Sequence, residues 1–219
     1  MLDYNSEYKN RLKQNVRNVI DELGSDGMKL KISNWANKFE YTFDAVLEKI
    51  EKDEMFRCVF AKDPSTQNFY QTLAAQYIES LQHVREFKVL PVGGSEALYL
   101  VNGKLLTGEA LGKSAKDTKS IDFTWKTGKY TIYASHKYTK TSGGAQDNQY
   151  IDVQNFLKNA FDNNQKDAKF VAICDGDYYL GKDASTGYES KLERLRNLTG
   201  NNSFAFTINQ IPEFLATLA

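Results

Sequence analysis

Asp122, Ser135 and Lys137 are the residues whose types and spacing point most directly to chemistry. A carboxylate can hold a hard cation such as Mg²⁺, and a nearby ammonium can orient a water and offset charge on an attacked phosphate. Asp122 and Ser135 lie on two stretches that read as strands, 121–125 and 130–135, joined across Lys126-Thr127-Gly128-Lys129 as in a hairpin, and Lys137 continues the second strand two residues on. Side chains alternate faces along a strand. Asp122 and Thr124 therefore share one face, and Ile121, Phe123 and Trp125 the other. On the second strand Tyr133, Ser135 and Lys137 share a face, opposite Ile132, Ala134 and His136. A turn of two or four residues centred on Thr127-Gly128 pairs Asp122 with Tyr133 and sets Asp122 diagonal to Ser135. A slip of one residue would disperse the three and expose Phe123 and Trp125. The solvated face of an ordinary amphipathic hairpin would show the same alternation.

The neighbourhood adds to the case. Residues 113–140 hold seven lysines, among them Lys119 and Lys140, against two acids, Asp117 and Asp122, in a chain of zero net charge. Ser142-Gly143-Gly144-Ala145-Gln146-Asp147-Asn148-Gln149 follows, with small residues that permit close backbone approach. An amide-rich helix start of this kind can donate to phosphates and read base edges. Lys119, Lys140, Ser142, Gly143, Gly144, Gln146, Asp147 and Asn148 are thus candidates to contact phosphates or base edges, with an ordinary polar loop and helix cap as the alternative. Asp175-Gly176-Asp177 offers a second pair of carboxylates for a metal, although such residues more often form the turn that ends a strand. His136 faces away from the Asp122 face and is expected to be structural or base-contacting.

Ser120-Ile121-Asp122-Phe123, Tyr133-Ala134-Ser135-His136-Lys137 and Ser142-Gly143-Gly144 together resemble the active-site core of type II restriction endonucleases. That superfamily carries a PD…(D/E)xK motif on a β-hairpin, and the twelve residues between Asp122 and Ser135 suit its spacing. The resemblance covers roughly half the chain, from the helix near 65–83 to the strand at 168–174. It implies a Mg²⁺-dependent, site-specific double-stranded DNA endonuclease with an α-β-β-β-α-β core, acting as a homodimer beside a cognate DNA methyltransferase. Asp122 matches the first metal-binding aspartate and Lys137 the motif lysine. Ser135 departs from the pattern, since most members have an acid there. A subgroup with S/T-x-K moves the second acid onto the following helix, where Asp152, slightly favoured, and Asp147 are the candidates. Gln149 resembles a helix glutamine that some members keep beside the site. Gln71, Glu79 and Glu96 lie upstream, where related nucleases often supply an extra acid. The rival readings are a repair or recombination nuclease with the same core, and a DNA-binding module that has lost cleavage.

These residues need elements to position them. Leu12, Val16, Val19, Ile20 and Leu23 recur at helical spacing over 6–23, stopped by Gly24. Ser33 reads as the N-cap of a helix carrying Trp35, Phe39, Phe43, Val46, Leu47 and Ile50. A third helix follows Pro64-Ser65. Short strand-like runs at 87–90 and 97–101 precede the hairpin, a helix spans about 146–162, and the apolar run 170–174 reads as a strand covered on both faces. A helix at 188–198, a strand at 203–207 and a helix at 209–218 complete the pattern. The expectation is an α/β fold with a mixed central β-sheet flanked by helices: a helical part over 1–60 and a restriction-endonuclease-like core over 61–219.

Composition bounds the function. The chain has 219 residues, 41% hydrophobic and 26% charged, with 28 basic against 28 acidic side chains. Zero net charge disfavours a purely electrostatic nucleic-acid coat and leaves room for a reader with local positive charge. Cys58 and Cys174 lie 116 residues apart and His83 and His136 are the only histidines, which opposes disulfide scaffolds and Cys/His zinc sites. No apolar stretch approaches the ~20 residues that span a bilayer. The polar run after Met1 does not read as a leader, and a cytoplasmic location without membrane attachment is expected.

Overall fold

The computed structural model describes residues 1–111, 119–141, 143–182 and 190–219; the side chains of Gln67 and Ala145 lie outside the description. The chain divides into two compact units, one of residues 3–69 and one of residues 1–2 with 70–219.

The first unit is helical: α1 (Tyr4–Glu22), α2 (Asp26–Lys38), α3 (Phe43–Lys52) and α4 (Glu54–Arg57). Ser25 caps α2 by accepting from the Met28 amide, and Thr42 caps α3 by accepting from Ala45. The single helix expected from Ser33 is therefore two. Ser33 sits inside α2, its hydroxyl donating to the Lys29 carbonyl. The apolar spacing of Trp35, Phe39 and Phe43 runs straight across the break, because Glu40 at φ 60° turns the chain between two segments that bury the same face. Val19, Met28, Ile32, Ala36, Val46, Ile50 and Phe60 form the core of this unit.

The helix α5 (Gln67–Glu79) leads into the second unit. Its strands β1 (Arg85–Val89), β4 (Phe123–Thr127), β5 (Tyr130–Tyr138), β6 (Ala168–Asp175) and β7 (Ser203–Phe206) form one sheet in the order β1-β4-β5-β6-β7. β1, β4 and β5 run antiparallel, while β5, β6 and β7 are parallel. The fold is α/β with a mixed central sheet. A separate hairpin pairs β2 (Leu98–Val101) with β3 (Lys104–Thr107). The strand β3 had no counterpart in the sequence reading. It exists because Asn102 (φ 47°) and Gly103 (φ 73°) both take the positive φ that a tight two-residue turn needs.

The helices α6 (Gly108–Leu111), α7 (Gly144–Phe161), α8 (Asp177–Leu180), α9 (Lys191–Arg196) and α10 (Ile211–Ala216) complete the unit. Val153, Phe156, Leu157 and Ala160 of α7 pack with Phe170, Ala172 and Cys174 of β6 on one face of the sheet. On the opposite face Phe204 and Phe206 meet Phe214 of α10, and Phe87 meets Phe123 and Trp125. The strand β6 is buried from Phe170 to Asp175, as its continuous apolar run requires. Among the described residues no helix is long and apolar enough to cross a membrane.

Candidate functional site

The turn between β4 and β5 is Gly128-Lys129, one residue later than the sequence reading placed it. Gly128 takes φ 56°, Thr127 pairs with Tyr130, and the ladder continues through Thr124 opposite Tyr133 to Phe123 opposite Ala134. One further step sets Asp122 directly across from Ser135 rather than diagonal to it. Moving the turn by one residue changes the pairing register by two, so parity survives and Asp122, Ser135 and Lys137 share a face. Ile121 departs from the expected alternation. Its amide bonds the Leu98 carbonyl ahead of β4, and its side chain joins the core cluster under α7.

Asp122 is clamped on both sides. Its amide donates to the Ala134 carbonyl and its carbonyl accepts from the Leu90 amide, each at 2.9 Å. The residue is 8% exposed, so its carboxylate is buried rather than solvated. Oδ2 accepts from the His136 amide at 2.8 Å and faces Ser135 Oγ at 3.5 Å and Lys137 Nζ at 3.7 Å. Oδ1 accepts from Gln71 Nε2 of α5 at 3.0 Å. Burial pushes the Asp122 carboxyl above its ordinary pKa, against the pull of the Lys137 charge and of the His136 and Ser135 donors. His136 is fully buried and its pKa falls to about 3, because burial and the adjacent Lys137 charge both disfavour the imidazolium. Burial also pushes the Cys174 thiol far up, which removes it as a nucleophile or ligand.

The helix α7 supplies the next wall. A cleft bordered by Ser135, Asp152, Asn155 and Lys119 has Leu100 and Phe156 as its apolar lining. Lys119 Nζ lies 3.9 Å from Asp152 Oδ2. Asp152 and Ser135 thus share one cleft, and Ser135 in turn faces Asp122. Asp147 is engaged elsewhere, accepting from the Tyr178 hydroxyl at 2.6 Å. Gln149 accepts from Thr139 Oγ1 at 3.0 Å, which ties α7 to the end of β5 two residues past Lys137. Lys140, Gly143, Gly144 and Asn148 are exposed around the start of α7, and Gln146 is partly buried there. Ser142 lies outside the described residues. Asp175 is occupied structurally, both oxygens accepting from the Ile208 amide, at 3.1 and 3.3 Å.

Gln71 is the neighbour of Asp122 that the sequence did not reveal. The sequence shows it only as lying upstream of the hairpin, and nothing local links α5 to a carboxylate 51 residues away. Asn155 was also missed, although its spacing of three from Asp152 puts both on one side of α7.

Among the described residues no group of three His, Cys, Asp or Glu side chains could hold a metal ion. The nearby donors are oxygens: the Asp122 carboxylate beside Ser135, and the Asp152 carboxylate in the cleft that Ser135 also borders. That set fits Mg²⁺, which keeps several waters and takes one or two carboxylates together with substrate phosphate, and it does not fit a soft metal.

No protein-family model matches the chain, and no curated protein matches it. Among solved structures, the crystal structure of protein VC1899 from Vibrio cholerae is similar at a TM-score of 0.34 and 10% identity, over 95% of this chain and 55% of that one. The chain thus spans little more than half the length of that protein.

Proposed function

We propose that the protein is a Mg²⁺-dependent, site-specific endonuclease of double-stranded DNA that hydrolyses phosphodiester bonds to leave 5′-phosphates. The observation that carries this reading is the approach of Lys137 Nζ to within 3.7 Å of Asp122 Oδ2, on the sheet face that also brings Ser135 to Asp152. Asp122 and Asp152 would hold the cation, which when bound lowers the charge on the attacked phosphate and acidifies a coordinated water. Lys137 positions the attacking water and offsets developing negative charge. Ser135 stays neutral and keeps a hydroxyl beside the Asp122 carboxylate. Lys119, Lys140 and, at the start of α7, Gly143, Gly144, Gln146 and Asn148 grip the backbone and present amides to base edges, while Asp147 is held by Tyr178. A homodimer would match a two-fold symmetric site, with a methyltransferase protecting host DNA.

A second reading, a DNA-binding module without cleavage, is favoured by Ser135, a neutral side chain beside Asp122 where the resembled motif carries an acid. Incubation with a sequenced plasmid separates the two. Discrete fragments with Mg²⁺ that vanish in chelator support the endonuclease, and a smear supports a repair-type nuclease. A gel shift without cutting supports the binding module. Full cutting in excess chelator sinks the metal-dependent mechanism.

A further inference from the structure

We infer that Gln71 is a positioning residue for Asp122, an inference that rests on the endonuclease reading of this site. Three observations carry it. The Gln71 amide donates to Asp122 Oδ1 at 3.0 Å, while the His136 amide holds Oδ2 at 2.8 Å, so the carboxylate is gripped from both ends. Each carboxylate oxygen has two lone pairs, so Oδ1 keeps one for a cation after accepting from Gln71. Gln71 is itself fixed, because the preceding residue Tyr70 stacks on Tyr138 with ring centroids 3.8 Å apart and planes at 22°. Tyr138 follows Lys137 directly, so α5 is anchored on the strand that carries the lysine and reaches across to the aspartate. An amide can only donate hydrogens through Nε2, so Gln71 presents a donor to Asp122 and adds no competing negative charge. Fixing the carboxylate plane in this way spares the cation the cost of ordering its own ligand.

The test uses the full chain and Mn²⁺ as the probe, followed by calorimetry and by paramagnetic resonance of the free ion, alongside plasmid cleavage. Gln71→Met keeps the length and removes the donor, and Gln71→Asn keeps the amide but withdraws it by one methylene. Both are expected to weaken Mn²⁺ binding about tenfold and to raise the half-saturating Mg²⁺ for cleavage in step. The rate at saturating metal should fall less, and the DNA affinity measured in chelator should be unchanged. Wild-type Mn²⁺ affinity in a folded variant of either kind overturns the inference. A wild-type protein that binds Mn²⁺ but does not cut DNA refutes the endonuclease reading, while the Mn²⁺ comparison still decides the role of Gln71. A wild-type protein that binds no Mn²⁺ overturns both.

Discussion

Lys137 Nζ lies 3.7 Å from Asp122 Oδ2, a pair in which the carboxylate is buried and the ammonium only partly so. Asp122→Asn and Lys137→Ala are each expected to reduce cleavage by at least about 10²-fold, the order seen when a group that stabilises transition-state charge is removed. Circular dichroism should report folded protein for both. Cleavage at wild-type rates by either variant would make the pair an ordinary structural contact.

Asp152 and Asp147 should behave differently. Asp152 borders the cleft with Ser135, whereas Asp147 accepts from Tyr178. Asp152→Asn is expected to cut activity by orders of magnitude and Ser135→Asp to restore part of it. Asp147→Asn should leave cleavage within about twofold and cost about 1 kcal/mol or less in urea unfolding through the weakened Tyr178 bond. Equal losses at both positions would defeat the assignment.

His136 makes stability depend on pH in a set direction. Its pKa is about 3 in the folded protein, below the value of 6.5 in an unfolded chain. The stability it contributes is complete above pH 6.5 and is lost as pH falls toward 3, because the unfolded state takes up the proton first. The slope approaches 1.4 kcal/mol per pH unit, or about 2 kcal/mol between pH 7 and 5. Asp122, with a raised pKa, acts in the opposite sense: its contribution is greatest at low pH and fades as pH rises through its folded value. Comparing wild type with His136→Gln by urea unfolding at pH 7 and 5 isolates the histidine. An unchanged difference between the two pH values would contradict it.

Gly128 sets the register that delivers Asp122 to Ser135. It takes φ 56°, and a Cβ there would lie 2.5 Å from the Leu218 carbonyl oxygen. Gly128→Ala is expected to cost about 1–3 kcal/mol, read as a lower thermal midpoint. A midpoint equal to wild type would show that the turn tolerates a side chain.

The face shared by Asp122, Ser135 and Lys137 was legible in the sequence because strand alternation is local covalent geometry, and Gly128 marked the turn to within one residue. The buried strand at β6 was legible for a similar reason, since a run such as Phe170-Val171-Ala172-Ile173-Cys174 has no polar side for solvent. The break between α2 and α3 was not, because the apolar period continues across Glu40 and only the backbone shows the turn.

Tertiary structure alone decided which acid of α7 meets the cleft. Asp147 and Asp152 are both aspartates a few residues from the hairpin, and their separation depends on how α7 docks through Val153, Phe156 and Leu157 and on where Tyr178 lies. It also decided that Asp122 and Ser135 are buried rather than solvated, since that depends on what covers the hairpin. Gln71 is the clearest case. A hydrogen bond spanning 51 residues leaves no periodicity in either segment, so it exists only once α5 and β4 have packed.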